Sequence, residues 1–410
     1  MQRIAIVQSS LEHYRHCFFE ALARSNPDWV VEIVHGGANP TTQSRPESQS
    51  FLETMIRVTR IRLLGFNLSL QTGALRHLCS SRVDIAVLEG SFGIVTNAFV
   101  LFVRRFTGRS TFYWATCWDR PDLNGWRRRT RAAALSFLTS MADGVIVYGS
   151  FAHGYMVEHG VKPERIYIAQ NTIDVENLIA QSAQWRSRGD ALKTQLGISG
   201  KCVLYVGRVV PTKRLLDLIR AMPAVQSRVP GSALLVVGAG PGLEEARSMA
   251  GPGVYFLGEV ISGVEACFAA ADIFVMPGTG GLALNQAMAF GLPVVTTVSD
   301  GTQEDLVLPE VNGLITPLGD VGALAASIGR ILEDRGTLAR MGERSRQIVL
   351  KKASLANMVN SFSRAIRSRG KSNQLEAGSH REDSHSAFQD LEVTDAHVPV
   401  QPTGKERSSC

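Results

Sequence analysis

The chain reads IFVM-PGTGG-LALNQAMAF from Ile273 to Phe290. Four consecutive apolar residues are typical of a strand buried on both faces of a sheet, and the last nine residues suit a helix packed against it. The segment Pro277–Gly281 contains three glycines and joins the two elements directly. This pattern predicts a strand, a tight turn and a helix, which together are the first part of a βαβ unit.

The same alternation recurs on both sides of this stretch. In the second half of the chain, further apolar runs predict strands at Cys202–Val206, Ala233–Val237, Val254–Leu257 and Pro293–Thr296. Helices are predicted between and after them at Leu215–Gln226, Leu243–Met249, Val264–Ala271, Val321–Glu333, Thr337–Lys351 and Leu355–Ser368. Right-handed crossovers between such strands produce a parallel sheet with helices on both faces.

The first half of the chain repeats this organisation. Its predicted strands are Arg3–Val7, Val30–Val34, Ile85–Leu88, Thr111–Ala115 and Val145–Tyr148. Its predicted helices are Cys17–Arg24, Ser69–Cys79 and Trp126–Ser140. The fold class is therefore α/β, with two Rossmann-like doubly wound domains that face each other across a cleft.

The domain boundaries are predicted from changes in composition along the chain. The polar stretch Val175–Leu196 has no strand pattern, so we predict domains at 1–185 and 186–353. A terminal helix over 354–368 can cross back to the first domain. Residues 369–410 are rich in Ser, His, Gln and Asp and are predicted to be disordered. Asp300–Thr316 is predicted to be a loop-rich connection.

Charge and cysteine content favour a cytoplasmic enzyme over a secreted or nucleic-acid-binding protein. The net charge of +6 is small for 410 residues, and the six cysteines show no metal or disulfide spacing. Met1–Val7 resembles a first strand and not a signal peptide. Gly90–Val103 is apolar but too short to span a bilayer, so it is predicted to be a buried helix on the sheet.

Two cations follow the strand Cys202–Val206. Arg208 and Lys213 lie on the loop that leads to the next helix. A guanidinium and an ammonium so placed suit a diphosphate, because ligands of such sheets bind beyond the carboxyl ends of the strands. The alternative is that both are ordinary surface cations.

Two glycine-rich turns follow the predicted strands Ala233–Val237 and Ile273–Met276. Gly207 and the turn at Gly238 and Gly240 are donor-site candidates, although Leu243 breaks the G-x-G-x-x-G fingerprint of an NAD-type site. Close packing of strand and helix explains the same glycines equally well. The second turn precedes the N-terminus of a predicted helix, where backbone N–H groups favour phosphate binding, and it consists of Gly278, Thr279, Gly280, Gly281 and Leu282. Gln286 lies one turn inside this helix, where its amide can form a hydrogen bond with a sugar or ribose hydroxyl.

In combination these motifs resemble glycosyltransferase family 4, the retaining GT-B enzymes. The resemblance covers the chain to about Ser368. Its motifs are Leu204–Arg208 with Pro211 and Lys213, Leu235–Pro241, Val254–Gly258, Ala271–Phe274, Ala287–Ala289, Gly291–Val295, Asp305–Leu306, Asn312–Leu314 and Gln170–Asp174.

The resemblance implies transfer of a sugar, with retention, from a UDP- or GDP-linked donor in the second domain. Arg208 and Lys213 would neutralise the diphosphate, so neither metal nor cofactor is expected. The acceptor would be a saccharide or polyprenyl-linked molecule, because the run from His13 to Leu22 is similar to enzymes of bacterial surface-polysaccharide assembly.

The chain departs from the family at three positions. Gly278 and Gln286 stand where the family usually carries two glutamates, and Thr116–Asp119 contains no histidine after its strand. A GT-B sugar-nucleotide epimerase and a catalytically inactive nucleotide-sugar-binding protein therefore remain alternatives.

The first domain offers acceptor candidates at strand ends. Tyr14, Arg15, Glu89 and Asp119 are predicted to contact acceptor or sugar. A further group follows at the next predicted helix, namely Trp126, Arg127, Arg128, Arg129 and Arg131. These side chains suit an anionic membrane surface, which would make the enzyme peripheral on the inner face of the membrane, or they form a solvated helix face.

Overall fold

The computed structural model describes residues 1–37, 50–63, 66–90, 95–115, 125–299, 301 and 303–375. Residues 1–369 form one compact unit. Within it, two parallel sheets account for most of the strands, and a small antiparallel hairpin is separate from both.

The first sheet contains seven strands. In chain order these are β1 (Gln2–Gln8), β2 (Trp29–His35), β3 (Leu52–Met55), β6 (Ile85–Glu89), β7 (Ser110–Ala115), β8 (Gly144–Val147) and β9 (Ile166–Ile168), with the hairpin β4 (Val58–Leu63) and β5 (Phe66–Gln71) between β3 and β6. The sheet order is β3-β2-β1-β6-β7-β8-β9, and the pairings are parallel.

Five helices cover the two faces of this sheet. They are α1 (His16–Ser25), α2 (Thr72–Leu78), α3 (Val95–Phe106), α4 (Gly125–Met141) and α5 (Ser150–Glu158). Buried side chains of α2 to α5 share one core, whereas α1 contributes to a separate core on the opposite face.

The second sheet contains six parallel strands. These are β10 (Cys202–Val206), β11 (Ala233–Val237), β12 (Val254–Gly258), β13 (Ile273–Met276), β14 (Val294–Thr297) and β15 (Gly313–Thr316), in the order β12-β11-β10-β13-β14-β15. The linking and flanking helices are α6 (Val175–Gln181), α7 (Arg186–Gln195), α8 (Leu215–Arg228), α9 (Leu243–Met249), α10 (Glu265–Ala270), α11 (Leu282–Ala289), α12 (Val321–Glu333) and α13 (Arg335–Lys352).

The last described helix returns to the first sheet. Helix α14 (Leu355–Leu375) follows the second domain in sequence, yet its buried residues join the core formed by β1 and α1. Phe362 contacts the rings of Phe18 and Trp114, with centroid separations of 5.3 and 5.0 Å. The helix runs to Leu375, past the predicted end at Ser368, because extending an existing helix costs little. Residues 376–410, the rest of the predicted tail, lie outside the described residues.

We expect Phe362→Ala to lower the free energy of unfolding by about 3–5 kcal/mol, because the ring is buried among aromatic neighbours that cannot close the cavity. Urea denaturation of the full chain measures the change. Leu350→Ala, at a partly exposed leucine of α13, should change the same quantity by no more than about 0.5 kcal/mol. Equal effects of the two substitutions would mean that packing of α14 on the first domain does not stabilise the fold.

Two predictions about secondary structure were wrong. Ser69–Gln71 belong to β5, so the predicted helix Ser69–Cys79 is confined to Thr72–Leu78. The alternating side chains of the hairpin have the two-residue period of a strand, which the helix prediction overlooked. Gly313–Thr316 forms β15 inside the predicted connection Asp300–Thr316. Its pairing with β14 provides the hydrogen bonds of this strand, and a segment this short has no sequence pattern that predicts such pairing.

The predicted buried helix Gly90–Val103 corresponds to α3, which begins at Val95, while residues 91–94 lie outside the described part of the chain. The predicted burial was correct on one face of this helix only. Helix α3 buries Val100, Leu101 and Arg104 against the sheet. Its opposite face exposes Phe99, Phe102 and Phe106. Apolar composition therefore did not mean burial, because the sheet can cover only one side of this helix.

Candidate functional site

The carboxyl ends of the two sheets face each other. The backbone N–H of Ser150, just after β8, donates to the Asp305 carboxylate, which follows β14, over 2.7 Å. Beside it, Gly301 lies against the ring of Phe151, so closely that a Cβ at Gly301 would lie 2.3 Å from the ring. The loops that follow the strands of both sheets therefore border one cleft, where ligands of doubly wound sheets bind.

Arg208 and Lys213 lie on the loop between β10 and α8. The Tyr205 hydroxyl donates to the carbonyl of Arg208 over 3.0 Å, and burial raises the pKa of this hydroxyl, so that it remains a neutral donor. The guanidinium of Arg208 is exposed, whereas Lys213 ends a short 3-10 turn and is half-buried. The loop therefore fixes the backbone beneath Arg208 and leaves its side chain accessible.

Lys213 joins two loops that are far apart in sequence. Its Nζ donates to the carbonyl of Thr279 over 2.6 Å and also to the carbonyl of Gly280. These carbonyls belong to the glycine-rich turn that precedes α11. The structure thus places the ammonium group at the N-terminal end of α11, where helix dipole and side-chain charge have the same sign.

Gly278 has a packing role in this arrangement. The Thr279 N–H donates to the Thr212 carbonyl over 3.0 Å, and a Cβ at Gly278 would lie 2.3 Å from that carbonyl oxygen. The same Cβ would lie 2.7 Å from the backbone carbon of Lys213. A glutamate, which the family usually carries here, does not fit unless the two loops move apart.

Gly238 and Gly240 also permit close packing. A Cβ at Gly238 would lie 2.0 Å from the carbonyl oxygen of Gly207, and one at Gly240 would lie 2.3 Å from that of Val209. Both glycines have positive φ, at +137° and +159°. Backbone hydrogen bonds from Gly207 to Val237 and from Val209 to Ala239 complete the contact. Packing between the loops after β10 and β11 therefore accounts for these glycines.

The helix after the second turn begins without a side-chain cap. Gly281 is the N-cap residue and Leu282 the first residue of α11. Gln286, one turn further, is half-buried. The neighbouring Asn285, to which the sequence assigned no role, is buried and donates to the carbonyl of Asn171 over 3.0 Å. This bond ties α11 to the segment that connects the two domains.

In the first domain, the guanidinium of Arg15 is surrounded by aromatic side chains. Its guanidinium donates to the Tyr148 hydroxyl over 2.6 Å and lies 4.5 Å from the Trp114 ring centroid. Burial raises the pKa of Tyr148, so this hydroxyl remains neutral and accepts the bond. Tyr14 is half-buried and lies 5.5 Å from the same guanidinium. Arg15 therefore orders the wall of the cleft around β7 and β8.

Glu89 lies at the end of β6. Its carboxylate accepts the backbone N–H of Ser9, and Asn97 donates to its backbone carbonyl over 2.8 Å. The first bond links the end of β1 to the end of β6, and the second links α3 to the end of β6. Asp119, the other acidic candidate, lies outside the described residues.

The predicted membrane group begins α4. Trp126, Arg128 and Arg129 are exposed, and Arg131 is half-buried. The side chain of Arg127 is not among those described. Along the described stretches of the chain, no helix has the length and apolarity to cross a bilayer, and no three His, Cys, Asp or Glu side chains form a metal-binding group.

Known proteins resemble this chain in sequence. Residues 200–334 match the family model for glycosyl transferases group 1. A GDP-mannose-dependent alpha-(1-6)-phosphatidylinositol monomannoside mannosyltransferase of Mycolicibacterium smegmatis is 35% identical over 164 residues, which are 36% of this chain and 43% of that protein. A D-inositol 3-phosphate glycosyltransferase of Salinispora tropica is 27% identical over 245 residues, covering 54% and 49%. The chain thus spans under half of the length of these relatives.

The likeness in structure extends further than the likeness in sequence. The crystal structure of Anabaena HepE in complex with UDP matches 90% of this chain and 100% of its own, with a TM-score of 0.69 and 18% sequence identity. At this identity the match establishes the fold alone. The predicted arrangement of two Rossmann-like domains is confirmed.

Proposed function

We propose that this chain, which has the GT-B fold and whose residues 200–334 are a glycosyl transferases group 1 domain, transfers a sugar from a nucleotide-sugar donor to an acceptor. The transfer retains the anomeric configuration and uses no metal ion. The observation that carries the proposal is the ammonium of Lys213 at the N-terminal end of α11, inside the cleft between the two sheets.

The chemistry follows from this placement. When the bond between sugar and diphosphate breaks, negative charge grows on the leaving nucleoside diphosphate. Lys213 and the uncapped N-terminus of α11 stabilise that charge, and the exposed guanidinium of Arg208 on the same loop closes over the phosphates. Positive groups already held in place lower the barrier because they need no reorganisation during the reaction.

The donor and acceptor classes are inferred from the relatives. Both sequence relatives described above carry names that join a sugar transfer to inositol, and one is named as GDP-mannose-dependent. The structural neighbour was crystallised with UDP. We therefore propose a GDP- or UDP-linked hexose as donor and a glycolipid, polyprenyl-linked or saccharide acceptor, with the product entering cell-surface glycolipid or polysaccharide. Such an acceptor places the enzyme at the cytoplasmic face of the membrane.

A thermal-shift screen with GDP, UDP, ADP and NAD tests the donor site. One nucleoside diphosphate at about 100 times its dissociation constant should stabilise the full chain by roughly 2.7 kcal/mol. EDTA should leave this shift unchanged. Stabilisation by NAD alone, or by none of the four ligands, would contradict the proposal.

Turnover of GDP-mannose and of UDP-glucose then separates the remaining functions. A transferase releases nucleoside diphosphate faster when a lipid or saccharide acceptor is added. An epimerase converts the donor without any acceptor. An inactive binding protein is stabilised by the nucleotide and never consumes the sugar donor.

A further inference from the structure

The outward face of α3 is aromatic. Phe99 and Phe102 are each 56% exposed to solvent, and Phe106 is 75% exposed. The rings of Phe102 and Phe106 lie 4.6 Å apart. The outward side of a surface helix is normally polar, so a row of three phenylalanines over two turns indicates a surface that binds something apolar.

Neighbouring elements extend this surface. Helices α3 and α4 contact each other and pack on the same core, so the side chains opposite that core point the same way. On α4 these include Trp126 and Phe137, which are 54% and 60% exposed. We name Phe99, Phe102, Phe106, Trp126 and Phe137 the aromatic face. Strand β5 also contacts α3, and its hairpin exposes Ile61 and Leu70.

The sequence segments that carry the aromatic face contain basic side chains and no acidic ones. Residues 54–83, 90–118 and 123–142 contain no Asp or Glu. The exposed arginines in these segments include Arg57, Arg60, Arg76, Arg82, Arg105, Arg128 and Arg129. Arg104 does not belong to them, because it is buried and donates to backbone carbonyls, including those of Asp84 and Ser110 at 2.8 Å. Exposed aromatic rings on segments rich in arginine are the composition that binds at anionic bilayer interfaces.

A cavity lies beside the start of α4. It lies between α4 and α5 and has a volume of about 480 Å³. Arg128, Arg129, Phe151 and His159 contribute to its lining, and Glu158 is the acidic residue among the described ones that line it. Phe151 also contacts Gly301 of the second domain, at the edge of the cleft. The lining of this cavity therefore includes exposed arginines of α4 and a ring that contacts the second domain.

We propose that the aromatic face docks on an anionic lipid bilayer, with its rings in the interface and the surrounding arginines on lipid phosphates. Docking in this orientation brings the mouth of the cleft to the membrane, where a lipid-linked acceptor would enter beside Phe151. Only this route for the acceptor rests on the proposed function. A second copy of the chain is a poor occupant, because two such faces would bring like-charged arginines together.

Co-sedimentation of the full chain with vesicles tests the docking surface. Wild-type protein should bind phosphatidylglycerol-containing vesicles at least tenfold more tightly than pure phosphatidylcholine vesicles, and added salt should weaken the binding. The variant Phe99→Ser with Phe106→Ser should lose at least tenfold in affinity. Both rings are exposed, so the thermal stability of this variant should equal that of the wild type.

Matched control variants distinguish binding through the aromatic face from non-specific binding of the protein to vesicles. Ile261→Ser removes an equally exposed apolar side chain from the second domain and should leave vesicle binding unchanged. Arg128→Gln with Arg129→Gln should weaken binding, whereas Arg340→Gln with Arg344→Gln, exposed on α13, should weaken it much less.

Three results would overturn the docking proposal. These are equal binding to neutral and anionic vesicles, unchanged binding after loss of both phenylalanines, and a solution dimer that the same two substitutions dissociate. The nucleotide thermal shift is measured without vesicles, so failure of the donor site and failure of the docking surface are distinguished.

Discussion

Alanine at both Arg208 and Lys213 should abolish the stabilisation by nucleoside diphosphate and lower kcat by at least about 100- to 1,000-fold. The reason is electrostatic. Both cations lie on the loop after β10, and Lys213 is anchored at the N-terminal end of α11 by two carbonyls. Charge on the leaving diphosphate would lose its compensation within the cleft. Thermal shift with nucleotide and steady-state turnover measure the two effects.

Single variants distinguish loss of a positive charge at the phosphate site from loss of structural stability. Arg208→Ala removes an exposed guanidinium and should leave the thermal stability of the unliganded chain unchanged while weakening nucleotide binding. Arg220→Gln removes another exposed cation, on α8, which pairs with Asp217 at 3.4 Å and should leave turnover near that of the wild type. If the double variant responds to nucleotide as the wild type does, the phosphates bind elsewhere.

Gly278→Glu, which restores the glutamate usual in the family, should impair the protein instead of improving its recognition of sugar. The new side chain would have to begin 2.3 Å from the carbonyl oxygen of Thr212, inside a contact that aligns Lys213 with the turn. We expect the free energy of unfolding to fall by roughly 1–3 kcal/mol, typical of overpacking, and nucleotide binding to fall with it. Urea denaturation and the nucleotide thermal shift measure both.

Gly281→Ala is the matched control for this substitution. Gly281 lies three residues along the same turn, has extended backbone with φ 164°, and a Cβ there would meet only the Lys213 ammonium, at 3.4 Å. Its stability should therefore remain close to that of the wild type. A Gly278→Glu protein with wild-type stability and higher turnover would show that the two loops open freely and that the packing argument is mistaken.

The sequence by itself determined the two α/β domains. Strands such as Cys202–Val206, Ala233–Val237 and Ile273–Met276 have the predicted bounds, because strands buried on both faces must be continuous apolar runs. The sequence also predicted that Arg208, Lys213 and the turn Pro277–Gly281 lie at the same edge of the second sheet. Neighbouring parallel strands end at the same edge of a sheet, so the loops that follow β10 and β13 must lie side by side.

The tertiary structure alone decided what several of these residues do. Gly278 is a packing residue because Thr212, which is distant in the chain, lies against it. The contact between Ser150 and Asp305 depends on how one sheet faces the other, which no local pattern encodes. The same holds for α3, whose apolar sequence predicted burial. Whether its phenylalanines are covered depends on which elements surround the helix, and on that side the described chain leaves them exposed to solvent.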